Sequence, residues 1–145
     1  MKTPYDAALR ALDQEMDALR RVIGAATQRL DDMRQLHESL ENQIVHEQRL
    51  AAVDSLLFAD AYLERARGER AKLARATAEA ENELASLRVK ATEQYASIRA
   101  VGEAADRYRE DAERARDRAE QQLVDDVVAA RFVRALRHSR MRQKP

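Results

Sequence analysis

The sequence predicts an all-α protein, with two long helices folded back on each other as an antiparallel coiled-coil hairpin and a C-terminal helical overhang. Three observations support this. Tyr5, Leu9, Leu12, Met16, Leu19, Ile23, Ala26, Leu30, Met33, His37, Leu40 and Ile44 recur in steps of four and three, and only His37 interrupts the apolar line. Spacing that averages about 3.5 residues keeps the stripe on one side of a supercoiling helix. So narrow a stripe asks for a helical partner along its length. The two prolines are Pro4 and Pro145, so nothing between them obliges the backbone to break. Finally, 36% of the 145 residues are charged and only six are aromatic, too few for the compact core that this length would otherwise permit. Abundant Ala, Arg, Glu and Leu with heptad periodicity marks long helices, and no alternating β-branched run signals a strand.

The first helix is expected over residues 4–51. Thr3 is placed to cap it, Pro4 suits the first helical position, and Asp6 favours the dipole of the first turn. Asp6–Arg10 and Asp17–Arg21 lie one turn apart and contribute about 0.3 kcal/mol each. Arg20 lies off the stripe and is expected to be exposed and replaceable. Gly24 costs roughly 1 kcal/mol relative to Ala and is expected to mark close packing or a slight bend. After Ile44 the stripe is expected to fail, because the next in-phase residues are Glu47, Ala51 and Asp54. A turn is therefore predicted at about 52–55, with Asp54 capping a new helix and Val53 and Phe58 forming its hydrophobic staple.

The second helix is predicted over 55–138, followed by a basic tail at 139–145. Its stripe runs Leu56, Ala59, Leu63, Ala66, Arg70, Leu73, Thr77, Ala80, Leu84, Leu87, Ala91, Gln94, Ile98, Val101, Ala105, Tyr108, Ala112, Ala115 and Ala119. Large residues on the first helix facing a mixture of large residues and Ala on the second would fill the seam without voids. The competing reading is one helix from 4 to about 138, roughly 200 Å long, that dimerises with another chain. A hairpin turning near residue 53 brings Tyr5 opposite roughly residue 101, beside Gly102. Everything from Glu103 onward would then lack an intramolecular partner.

That unpartnered stretch begins as Ala and charge, with Glu103–Arg107, Glu110–Arg114 and Arg116–Glu120 spaced to stabilise a lone helix. Its end changes character. Leu123, Val127, Val128, Phe132, Val133 and Leu136 form a broad apolar face interleaved with Arg131, Arg134 and Arg137. Net charge is zero, yet all 26 acidic residues lie at or before Asp126, and six basic residues follow it. The tail is a separate electrostatic object. Its arginines suit a solvated helix C-terminus, a nucleic acid, an anionic membrane surface, or an acidic or apolar socket on a protein. Nucleic acid is disfavoured because aromatic interleaving is missing.

No apolar run approaches 18 residues, so no membrane span is expected. The start MKTPYDAALR lacks the apolar stretch of a secretory signal, and zero cysteine fits a reducing cytosol. No Gly-rich phosphate loop or nucleophile motif is present. No enzyme activity, cofactor or metal is therefore expected. A diiron bundle would want Glu-x-x-His, but Arg34 and Gln43 stand three residues before His37 and His46. His37 reads as a polar register element of the seam.

Two stretches carry a family resemblance. One is Glu120-Gln121-Gln122-Leu123-Val124-Asp125-Asp126 followed by VVAARFVRALRHSRMRQKP, an acidic pair after an apolar position and then small and basic residues to the end. The other is DSLLFADAYLERARGE, with Tyr62-Leu63 as an aromatic–aliphatic pair after the turn. With the length and the absence of interior proline, they make the chain resemble the FliJ family of flagellar type III export stalk proteins. The resemblance implies an antiparallel coiled coil similar to the central stalk of rotary ATPases. It implies a terminal end that enters the pore of a hexameric export ATPase, a tip that meets the membrane export gate, and contacts with substrate chaperones. ATPase contact would fall on Val128, Arg131, Phe132 and Arg134, within the apolar face that includes Leu123, Val127 and Leu136. Gate contact would fall near His46, Phe58 and Tyr62. The expected function is a non-enzymatic cytoplasmic stalk that couples the ATPase ring to the gate, associates with the inner-membrane apparatus through partners only, and binds no nucleic acid. A homodimeric coiled-coil scaffold or adaptor unrelated to export is the alternative.

Overall fold

The computed structural model describes residues 1–53 and 60–144, and among them only helix and short turns occur. Helix α1 spans Asp6–Val53 and helix α2 spans Asp60–Arg142. The two pack against each other as an antiparallel coiled-coil hairpin. Residues gather into two compact units, Arg10–Ile98 and Met1–Leu9 with Arg99–Pro145. Residues 52 and 53, expected in the turn, belong to α1. The rest of that turn, with the Asp54 cap and the Phe58 staple, lies outside the described residues.

Pro4 and Tyr5 form a turn, and the helix starts at Asp6, two residues later than expected. Thr3 organises this start. Its backbone N–H donates to Asp6 Oδ2 at 2.9 Å and its hydroxyl to Asp6 Oδ1 at 2.7 Å. The Asp6 carboxylate thus reaches back to the cap residue, which is the return arm of a capping box.

Within Arg10–Ile98 the heptad stripe is the buried seam. Met16, Ala26, Leu30 and Ile44 are buried on α1, and Leu63, Ala66 and Leu84 on α2. Ala26, Leu30 and Leu84 form one cluster, flanked by Ile23, Ala80 and Leu87. Ile44, Leu63 and Ala66 form another, flanked by Leu40, Ala51 and Tyr62. A large residue meets a small one at Ile44 and Ala66 as expected, and the order is reversed where Ala26 joins Leu84. The stripe does not fail after Ile44. Glu47 is half-buried and Ala51 packs on the second cluster, because α1 continues helically beside Leu63 and Ala66.

Polar members of the seam are tied down. Gln94 on α2 donates to the Leu12 carbonyl and to Glu15 Oε2, both at 3.1 Å. Arg70 meets Glu41 at 3.2 Å, and His37 Nε2 lies 3.9 Å from the same carboxylate oxygen. Among the described residues no buried side-chain polar atom lacks a partner. One correction and one addition concern single residues. A methyl group added at Gly24 would meet nothing within 4 Å, so this glycine marks no close packing. Arg20 is exposed, yet it crosses to α2: its Nη2 donates to Tyr95 Oη at 2.8 Å, with the guanidinium carbon 5.7 Å from the ring centroid. That hydrogen bond, ahead of the Asp17 carboxylate, holds the Arg20 guanidinium above its ordinary pKa, so it stays a cation.

The register differs from expectation by one heptad. Tyr5 meets Tyr108, not residue 101, with ring centroids 6.4 Å apart at 76°. The immediate reason is that residues 52 and 53, expected in the turn, are still part of α1. Flanking charges pair across the seam. In the observed register Arg29 pairs with Glu83 at 3.8 Å, Arg34 with Glu81 at 3.2 Å, and Asp6 with Arg109 at 3.6 Å. A shift of seven residues would oppose Arg29 with Ala76, Arg34 with Ala74, Asp6 with Gly102 and Arg20 with Arg88. Exposed pairs contribute at most about 1 kcal/mol each. The shifted register would form pairs of its own, with Glu15 and Asp17 opposite Arg88 and Lys90 and Glu38 opposite Arg67, so these exposed charges do not by themselves set the register.

Candidate interaction surface at the C-terminal end of α2

In the unit formed by Met1–Leu9 and Arg99–Pro145, the start of α1 is clasped to α2. Ala105 is fully buried, at 0% exposure. Arg109 bridges Asp6 at 3.6 Å and Asp106 at 2.8 Å, beside the edge-to-face pair of Tyr5 and Tyr108. An aromatic pair of this geometry adds about 0.5–1.5 kcal/mol beyond the area it covers. The sequence-based expectation that α1 is exhausted near Gly102 is therefore corrected: α1 engages α2 as far as Arg109.

Beyond this clasp α2 changes abruptly. Ala112 is half-buried, and every described residue from Glu113 to Lys144 is exposed. Helical structure nevertheless continues to Arg142. At its start Glu110 pairs with Arg114 at 3.7 Å, one turn apart, and further on Gln121 donates to Asp125 at 2.8 Å. Arg140 and Arg142 occupy the last turn, where cations complement the helix dipole.

All of the predicted ATPase-binding residues lie on this bare segment. Leu123 is 66% exposed, Val128 59% and Phe132 64%, with Val127 and Leu136 little less. Arg131 and Arg134 are exposed between them. So many large apolar side chains standing in water on one element make this segment the candidate interaction surface.

The predicted gate-contacting residues lie elsewhere. His46 is exposed on α1, and Tyr62 is half-buried against the Ile44–Leu63–Ala66 cluster, so part of the Tyr62 ring serves packing. Both belong to the other unit, and Phe58 lies outside the described residues. The two groups of predicted contacts thus fall in different compact units.

Sequence reasoning missed a lateral groove. Leu36, Leu40 and Gln43 on α1 and Glu69, Lys72, Leu73 and Ala76 on α2 border a trough of about 460 Å³, with Leu36 61% exposed. Its signal was available, since Val22, Leu36 and Leu50 recur every 14 residues, each just before a seam position. Among the described residues no group of three His, Asp or Glu side chains could hold a metal ion, and no helix is long and apolar enough to cross a membrane. Compared with protein-family models, curated proteins and solved structures, the chain matches none of them.

Proposed function

We propose that this chain is a non-enzymatic coiled-coil stalk of a flagellar type III protein export apparatus, seated in an export ATPase hexamer through the C-terminal end of α2. One observation carries the reading: α2 continues as a helix for some 30 residues past its last buried contact, and this bare stretch ends in apolar and cationic side chains. A helix that extends beyond its partner with Phe132 and Val128 in water is built to enter something. Arginines between the apolar positions, with no acidic residue after Asp126, favour an acidic rim on the socket. The resemblance to the FliJ family adds the identity of that socket, the membrane export gate as the second partner near His46, Phe58 and Tyr62, and substrate chaperones as further ones. Such a protein works in the cytoplasm at the inner-membrane apparatus, by mechanical coupling and by promoting assembly of the ring. A homodimer built on the Tyr5–Ile44 seam finds that seam already occupied by α2.

The test is a calorimetric titration of full-length chain and a chain lacking residues 127–145 against the export ATPase. Loss of binding on truncation with an unchanged hairpin melting curve is the expected result. Arg131→Glu should weaken binding most at low salt, where charge is least screened. A truncated chain that binds as tightly as the full one overturns the assignment.

A further inference from the structure

Between Val128 and His138, α2 sorts its side chains by face. At about 100° per residue, Val128, Ala129, Phe132, Val133, Ala135 and Leu136 fall within an arc roughly 160° wide. Arg131, Arg134, Arg137 and His138 fall on the opposite side, with only Ala130 among them. Every one of these residues is exposed, and the backbone is helical throughout. The segment carries no acidic residue, and Asp125 and Asp126 lie just before it. Arg140, Arg142 and Lys144 follow.

We propose that residues 128–138, with the basic residues that follow them, also bind an anionic lipid surface directly, lying in the plane of the interface with Val128, Phe132, Val133 and Leu136 inserted among the acyl chains. The chemistry is that of an interfacial helix: a continuous apolar face, a cationic face, and too little apolar length to span. Charge complementarity selects anionic headgroups, because six basic groups gather between Arg131 and Lys144 with no acidic residue among them. Four large apolar residues give shallow anchorage, so binding is reversible and yields to a protein socket that covers the same face. Membrane association would then not depend on partners alone.

The test uses the full-length chain and vesicles of phosphatidylcholine with or without phosphatidylglycerol. Flotation should carry the chain with the anionic vesicles and leave it behind with the neutral ones. The double variant Arg131→Glu/Arg134→Glu should bind anionic vesicles roughly tenfold more weakly or worse, and Phe132→Asp should also lose binding. The chain contains no tryptophan, so a single one reports its own surroundings. Phe132→Trp should shift its emission to the blue on adding anionic vesicles and become shielded from iodide, while Arg137→Trp should stay quenchable. Absence of flotation overturns the proposal. So does flotation in which the indole of the Phe132→Trp chain stays as quenchable as that of the Arg137→Trp chain, which would reduce the contact to loose charge attraction. Equal flotation with neutral vesicles would remove its electrostatic basis. ATPase binding is measured without lipid, so the two readings fail independently.

Discussion

Two stretches of α2 have similar helical propensity and opposite fates. Between Leu63 and Ala112 each stripe position lies against α1 or at its edge, and alanines there are as useful as leucines because they admit the larger residues of α1. Between Glu113 and Lys144 the alanines at 115 and 119 lie in water, and the large residues further on have nothing against them. The stripe positions are equally regular at Ala105 and Ala119, yet one is fully buried and the other exposed. Periodicity licenses burial; the length of the partner helix decides it.

Breaking this comparison should produce its largest effect at Leu30, which is 4% exposed within the Ala26–Leu84 cluster. Leu30→Ala should destabilise the hairpin by about 2–4 kcal/mol in chemical denaturation. A Leu136→Ala chain serves as its counterpart and should unfold within about 0.5 kcal/mol of the parent. Equal losses at the two positions would mean that the exposed end is held by contacts of its own.

Phe132→Ala inverts the pattern. It should leave the denaturation midpoint where it was and, on the proposed function, weaken binding to the export ATPase by about 1–3 kcal/mol, as a central anchor would. Titration calorimetry and melting on the same preparation separate the two effects.

The boundary between the regions can be moved more gently. Tyr5→Ala removes the edge-to-face contact with Tyr108 and should cost about 1 kcal/mol. Amide hydrogen exchange should then accelerate in α2 around residues 105–112 and remain unaltered near Leu84. Acceleration confined to α1 would show that the clasp does not hold α2.

The smallest effect has the opposite sign. Gly24 lies on an exposed face of α1 with open space around it, so Gly24→Ala should stabilise by about 0.5–1 kcal/mol. A loss of stability would restore the close-packing role that the open surroundings deny.

The seam was legible from residue types alone. Met16, Leu30, Ile44, Leu63 and Leu84 could be placed on it without coordinates, because helical periodicity is local and heptad spacing records which side faces a partner. The apolar and cationic character of residues 123–144 was legible for the same reason. The register was not. A hairpin displaced by seven residues presents the same stripe phase, so Tyr5 can face residue 101 or Tyr108 without upsetting a single heptad position. The observed register shows in pairs such as Arg34–Glu81 and Asp6–Arg109, whose partners lie 47 and 103 residues away along the chain and so leave no local signal. Likewise, nothing local distinguishes Ala105 from Ala119. Local residue pattern accounts for the two helices, their inner faces and the chemistry of the exposed end of α2. How far α1 reaches along α2, and hence where packing stops and the bare surface begins, emerges from packing alone, because that length is a property of two segments meeting.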